Sequence, residues 1–489
     1  MAAAAGLRRT FIEAGPGSGK TTVAAQLFGA QRFKSTLDDR AVVAVSFTRS
    51  ATAELRTRIK STWGPLAGRL PHRICTLDTF VNDMVTYLLT TGEIGWPGGH
   101  VSLDVIDDWK TFDASPYSFE GARLTLLAGS VSVEPYRSAE RKNRIQAPAL
   151  TAAITAGVCS HNDIRRVLEL YLVEEVNRQS LQRWLQSHVR CIVVDEVFDA
   201  NQLDVKLLAL MAETDIEIVV IGDPWQALYG FRGARPELIP ELVAEYDFHL
   251  TPLEWSFRFE TDEQRELAAK LRTGQSVELI AGDPSECDVV LASQWGHLWG
   301  SATSILPTAL KSASSTQWAI ATLILHAALQ VLLGVPALQA KEAFRVLQIT
   351  DDHEMAAVTS EMDSVLKALS SGSESAALKN AWDGAVTIVL KHSDLLVVGN
   401  RAPGRLKPLR ARLLCAERIV LGMTVHQAKG HEWDNVGLVL TATELQHLAS
   451  GLSSDFENDR VSYVALTRAR RSSRLISTSQ LLSGSSSEM

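Results

Sequence analysis

Short unbroken apolar runs alternate with longer stretches of helical period along most of this chain. TFIEAG (10–15), AVVAVSFT (41–48), CIVVDE (191–196), EIVVIGD (217–223), DVVLASQW (288–295), DLLVVGN (394–400) and VGLVLTA (436–442) each read as a strand that ends in a polar or glycine turn. Strands this uniformly apolar are buried on both faces, which requires helices above and below a parallel sheet. The pattern predicts an α/β fold with parallel sheets. Two blocks interrupt it. Residues 86–187 read as mostly helical, with Gly/Pro punctuation at GWPGGH and a basic stretch, YRSAERKNR (136–144). Residues 296–384 are rich in alanine and leucine and end in SSGSES. Within that block WAIATLILHAALQVLLGV (318–335) is barely long enough to span a bilayer and is interrupted by His326 and Gln330. Serines before it and Pro336 after it delimit a helix, read here as buried in protein and not in a membrane. The tail LLSGSSSEM (481–489) has the composition of a disordered segment.

Composition narrows the class only a little. A chain of 489 residues exceeds one hydrophobic core and predicts several domains. Hydrophobic content of 46% and charged content of 21% are those of a soluble globular protein. The net charge of -8 excludes a uniformly basic surface but leaves room for a local basic groove. Five scattered cysteines (Cys75, Cys159, Cys191, Cys287 and Cys415) form no C-x-x-C pair. They fit a reducing cytoplasm better than a disulfide or zinc framework.

Candidate chemistry begins at FIEAGPGSGKTT (11–22), a strand, a glycine-rich turn and a helix start. Backbone N–H groups in such a turn cradle phosphates at a helix N-terminus. Gly15, Gly17, Ser18, Gly19, Lys20, Thr21 and Thr22 are the predicted nucleotide ligands. Lys20 would reach the β- and γ-phosphates, and Thr21 would hold Mg2+. The strict G-x-x-x-x-G-K-[ST] pattern asks for glycine where this chain has Ala14. CIVVDE adds Asp195 as second magnesium ligand and Glu196 as general base. Beyond the strand EIVVIGD lies GDPWQALYGFRGA (222–234), where Gln226 can bond both phosphate and attacking water. Tyr229 and Phe231 follow, with Arg232 beside them. Base–aromatic stacking contributes roughly 1–3 kcal/mol per base, so this loop can connect hydrolysis to nucleic acid. Packing is the competing reading for the two rings.

These segments, in this order, resemble the motifs of the UvrD/Rep/PcrA branch of superfamily 1 helicases. VSFTRSATAELRTRI (45–59) is similar to motif Ia, and TLDTF (76–80) to the next DNA-contacting motif. DEVFDANQLD (195–204) stands where the family has D-E-x-Q-D, and GDPWQALYGFRGA is similar to motif III. EWSFRF (254–259), MTVHQAKGHEWDNV (423–436) and VSYVALTRAR (461–470) resemble motifs IV, V and VI. The resemblance implies two RecA-like domains with ATP bound between them. It makes Arg258 and Arg468 arginine fingers, Glu432 a ribose ligand and Phe257 the ring beside adenine. Phe47, Thr48, Thr76, Tyr229, Phe231, Arg232, Thr424 and His426 would face nucleic acid. The implied activity is ATP-driven translocation on single-stranded DNA, with or without unwinding; RNA is not excluded.

Departures from the pattern carry their own expectations. Phe198 replaces the glutamine of D-E-x-Q-D, Asp78 stands where many members have histidine, and Phe257 replaces a tyrosine. No upstream glutamine motif precedes the phosphate loop, since the first glutamine is Gln26. Weak discrimination between ATP and GTP follows. The family's duplex-contacting domain 2B, normally between motifs IV and V, is missing, shrunken or relocated. The expected organisation is a first RecA-like domain from 1–85 and 188–245 with a helical insertion at 86–187. The second comprises 246–295 and 385–480 with a helical insertion at 296–384. Basic runs at Arg401, Arg405, Lys407, Arg410 and Arg412, and at Arg137, Arg141, Lys142 and Arg144, could line a strand-binding groove. An alternative function is a nucleic-acid-activated ATPase acting as sensor or switch beside a nuclease or other protein partner, as in the helicase-like subunit of the Gabija antiphage system. No membrane association is expected.

Overall fold

Alternate residues of the apolar runs pack on opposite sides of a sheet, which is why these strands lack a polar face. The computed structural model describes residues 8–109, 115–310, 313, 315–393, 404 and 406–476. The chain divides into two units, 1–256 and 257–489. Strands of the first unit are β1 (Arg9–Ala14), β2 (Ala41–Ser46), β3 (Arg73–Thr76), β4 (Asp104–Ile106), β5 (Tyr117–Leu127), β6 (Ser130–Asn143), β7 (Val158–Ser160), β8 (Val189–Val194), β9 (Glu217–Gly222) and β10 (His249–Leu253). Six of them form a sheet in the order β10-β1-β9-β8-β2-β3, parallel throughout. Val43, Val45, Ile192, Val194, Ile218 and Val220 enter the core on one face. Val42, Ala44, Cys191, Val193, Val219 and Ile221 enter a separate core on the other. Each fully buried valine or isoleucine contributes roughly 1.5–3 kcal/mol, so a polar residue inside any of these strands would be costly.

Three helices of this unit matter below: α1 (Lys20–Arg32), α2 (Arg49–Trp63) and α3 (Leu77–Thr90). Each follows a strand of the parallel sheet, α1 after the glycine-rich turn at 15–19 and α2 and α3 within two residues. Thr48 caps α2 and Thr76 caps α3, their hydroxyls accepting the Ala51 and Thr79 N–H groups.

The second unit contains β11 (Ala281–Gly282), β12 (Val289–Ala292), β13 (Ile305–Pro307), β14 (Val420–Thr424), β15 (Trp433–Val439) and β16 (Ala469–Ile476). They pair in the order β11-β16-β15-β12-β14-β13, again all parallel. The apolar helix spans Thr316–Leu333, begins at a Ser315 cap and ends at Gly334 in the left-handed region. It is the one described helix long and apolar enough to cross a membrane. Ten of its residues are buried, in a core shared with helices Asp352–Ser370 and Glu374–Lys391.

Several sequence expectations need correction. Residues 86–187 are not mostly helical, because β5 and β6 form an antiparallel hairpin of 11 and 14 residues. Its turn uses Ala128 and Gly129, both at positive φ (47° and 75°), the twist that a two-residue hairpin turn requires. The first unit does not end near 245, since β10 pairs with β1. Residues 296–384 are not wholly an insertion, since β13 belongs to the second sheet. The DLLVVGN run, Arg401, Arg405 and the 481–489 tail lie outside the described residues.

Candidate functional site

The three predicted phosphate-handling segments leave the C-terminal ends of β1, β8 and β9, which are neighbours in the first sheet. Parallel sheets bind ligands at this end, where loops and helix N-termini meet. Ala14 is the fully buried last residue of β1, and it does not adopt positive φ. The glycine of the strict pattern is therefore not needed at this position. Gly17 and Gly19 do need their freedom, at φ 72° and 85°. The Ser18 hydroxyl donates to the Gly15 carbonyl at 2.8 Å, closing the turn. Lys20 starts α1 and is buried. Thr22 accepts a hydrogen bond of 2.6 Å from Arg58.

Asp195 lies one residue beyond β8, is almost fully buried, and hydrogen-bonds Thr21. Burial and the neighbouring Glu196 charge push its carboxyl up to about 7, against the pull of the Thr21 hydroxyl and the Lys20 ammonium. A carboxylate and a hydroxyl are the hard oxygen donors that magnesium takes, usually beside water and substrate phosphate. A divalent cation would relieve the cost of burying the Asp195 charge beside Glu196, so Thr21 and Asp195 fit magnesium. Glu196 sits in the left-handed region at φ 60° and ψ 43°, an uncommon conformation for glutamate of the kind found at functional sites. Gln226 is buried and donates to Asp223 Oδ2 at 2.8 Å, which fixes the amide's orientation. The Ser256 hydroxyl donates to Pro16 O at 2.7 Å, so the end of this unit holds the phosphate loop.

Past Gln226 the chain turns outward. Phe231 is 65% exposed. Tyr229 is half-buried and meets Phe231 edge-on, centroids 6.1 Å apart. Arg232 lies 5.0 Å from the Tyr229 ring and 5.5 Å from the Phe231 ring. Core packing therefore does not account for Phe231. Phe47 and Thr48 follow β2 and Thr76 ends β3, all three half-exposed at the same end of the sheet.

In the second unit Arg258 donates to Glu432 Oε2 at 2.9 Å and to the Thr467 carbonyl at 2.8 Å. Arg470 takes the other Glu432 oxygen at 2.6 Å. Burial alone would raise the Glu432 carboxyl, but the hydrogen bonds from Arg470 and Arg258 hold it below the ordinary range. A ribose hydroxyl would have to share this carboxylate with two guanidinium groups. Arg468 is buried, donating to the carbonyls of Val464 at 3.1 Å and His431 at 3.4 Å. Phe257 is 78% exposed. Thr424 ends β14, its N–H donating to Gln427 at 3.2 Å, and His426 follows half-buried.

Sequence reasoning did not single out Arg165 or Arg470. Arg165 bridges Asp78 and Asp204, at 2.6 Å each, so the acid standing where many helicases have histidine is held in an ion-pair network. The basic run in 401–412 is not a free patch: Arg412 is buried, donates to Leu298 O at 3.0 Å and lies 4.6 Å from the Trp299 ring. Arg410 donates to Gly372 O at 2.7 Å, and Lys407 pairs with Glu374 at 3.0 Å. In the other run, Arg144 donates to the Tyr136 hydroxyl at 2.9 Å and Arg141 to Tyr117 O at 2.8 Å.

Comparison with known proteins agrees with this layout. An AAA domain family matches residues 2–232, and the UvrD-like helicase C-terminal domain matches residues 406–480. The chain is similar to DNA helicase II of Haemophilus influenzae, 24% identical over 281 residues, covering 52% of this chain and 37% of that protein. It is similar to the ATP-dependent DNA helicase Rep of Escherichia coli, 25% identical over 260 residues, covering 48% and 37% respectively. With the ATP-dependent DNA helicase UvrD2 of Mycobacterium tuberculosis it is 25% identical over 538 aligned residues, covering 94% of this chain and 75% of that protein. The chain thus spans well under half the length of the first two. Two parallel-sheet units carrying these motifs, matched from the phosphate loop to the last strand, make this chain a member of the UvrD/Rep-like helicase family.

Proposed function

We propose that the chain hydrolyses ATP to move along single-stranded DNA. The observation that carries this reading is the convergence of the phosphate loop, the Thr21–Asp195 contact and the Asp223–Gln226 pair on three neighbouring strand ends. In this reading the loop from Gly15 to Thr22 binds the triphosphate, with Lys20 on its terminal phosphates. Thr21 and Asp195 hold magnesium, which supplies charge neutralisation at those phosphates. Glu196 accepts the proton of the attacking water, and Gln226 orients it. Arg258 and Arg468 stabilise the charge that develops; such arginines are worth about 10³–10⁵-fold in phosphoryl transfer. Phe47, Thr48, Thr76, Tyr229, Phe231, Arg232, Thr424 and His426 contact the strand.

The test is steady-state ATP turnover with and without single-stranded DNA. Glu196→Gln should retain nucleotide binding and lose at least about 100-fold in turnover, within the range for a general base. Normal turnover in that variant would refute the assignment of the base.

A further inference from the structure

A groove of about 910 Å³ opens on the first unit between α2 and the loop that leads into β3. Five cationic side chains line it: Arg49, Arg56, Lys60, Arg69 and Arg73. No acidic residue does, although the whole chain carries a net charge of -8. Arg49, Arg56 and Lys60 lie on one stripe of α2, seven and then four residues apart. His72 also lines the groove but adds no charge, because its ring accepts the Val42 N–H at 3.0 Å and burial keeps it neutral. Three of the cations are partly committed. Arg49 pairs with Asp107, Arg56 donates to Ile74 O at 2.7 Å and Arg73 pairs with Asp83. Lys60 and Arg69 are exposed and make no side-chain hydrogen bond or ion pair among the described residues.

We infer that this groove is a phosphate-binding track that carries a single nucleic-acid strand beyond the motif residues at the sheet's end. The inference rests on the proposed translocase reading. Continuity supports it: Thr76 and Thr79 line the groove's end, and Thr76 is one of the residues assigned to the strand. Length supports it as well. From Arg49 to Lys60 the helix rises about 16 Å, the span of about five stacked nucleotides at 3.4 Å each. A row of separated cations with no acid among the lining residues suits a regularly charged backbone and does not read base edges. The neighbouring Leu66 and Leu70, 61% and 78% exposed, offer apolar surface to unstacked bases.

The decisive variant is the full chain with Lys60→Gln and Arg69→Gln together, compared with wild type for oligo(dT) binding across a salt series. Losing two phosphate contacts should reduce the slope of log affinity against log salt by about 1.4 and weaken binding about 25-fold at 0.1 M salt. DNA-independent ATP turnover should not change. The charge-retaining pair Lys60→Arg and Arg69→Lys should bind as wild type does, which a merely structural role would not predict. Wild-type binding with an unchanged slope in the glutamine variant overturns the track but leaves the translocase reading standing. Failure of the wild type to bind oligo(dT) at all overturns both. If the variant loses binding to poly-glutamate while keeping its oligo(dT) affinity, the groove receives an acidic protein segment and the inference is wrong.

Discussion

Phe198 stands where the resembling helicases have a glutamine, and its surroundings show what the exchange does. Its ring is buried, 6.1 Å from Phe11 in an edge-on arrangement, and a Cβ added to Gly222 would meet it at 2.7 Å. A glutamine there would bring an amide into an apolar contact that offers it little compensation. The side chain thus belongs to the core beneath β1 and β9, and any coupling of DNA to hydrolysis must run through other residues, such as the Asp223–Gln226 pair. His72 is a second buried group with a measurable consequence. Burial, aided by Arg32 and Arg190, holds its imidazole down to about 4 from an ordinary 6.5. The unfolded chain therefore takes up the proton first as pH falls. The contribution of His72 to stability is full above pH 6.5 and is lost as pH falls toward 4, by about 3 kcal/mol at most. His72→Gln keeps an acceptor for Val42 N–H and cannot charge. Its thermal midpoint should fall less than that of the wild type between pH 6.5 and 4.5. Parallel curves for the two proteins would contradict a neutral buried His72.

At the scale of elements, the loop after β9 is the test case. Gly230–Arg232 forms one short turn and Gly233, at φ 91°, ends it, which leaves Phe231 facing solvent beside Tyr229 and Arg232. Phe231→Ala should weaken single-strand binding by roughly 1–3 kcal/mol with little dependence on sequence. Thermal stability should barely change, because a ring 65% exposed adds little to a core. Unchanged DNA affinity together with a large loss of stability would support packing as its role. Elements of this kind were legible in the sequence for a physical reason. A strand buried on both faces is a run of apolar residues, and β1, β2, β8, β9, β12 and β15 each announce themselves that way. The β5–β6 hairpin did not, because most of its residues are exposed on both sides and its alternation is blurred by charge. Strand β10, with the pattern HLTPL, owes its place to pairing with β1 and not to its own hydrophobicity. Among the candidate site residues, local motifs pointed to the glycine-rich loop and to Asp195. The Arg258–Glu432–Arg470 contacts join residues up to 212 positions apart, which no local pattern can express. The buried Arg412 looked like one more surface cation for the same reason.

For the molecule as a whole, the question is what the two units can do to a duplex. Each has its own six-stranded parallel sheet and its own core. In the resembling helicases a further domain between motifs IV and V contacts duplex DNA. Here the helix Glu374–Lys391 ends only 29 positions before β14 begins at Val420, and an eight-residue helix, Leu406–Leu413, takes part of that interval. The apolar helices before it are not a free substitute, because they are spent on the second unit's core. On the proposed reading the chain has candidate residues for hydrolysis and for holding a strand, but the 28 residues between that helix and β14 are too few for a further domain to grip the duplex ahead. Oligo(dT) should therefore stimulate ATP turnover by the purified chain, and a streptavidin block at one end of a biotinylated strand should be displaced in an ATP-dependent way. A long duplex should be separated slowly or not at all until a partner protein is added. Efficient separation of a long duplex by the chain alone, at concentrations too low for self-association, would show that another surface performs the duplex contact.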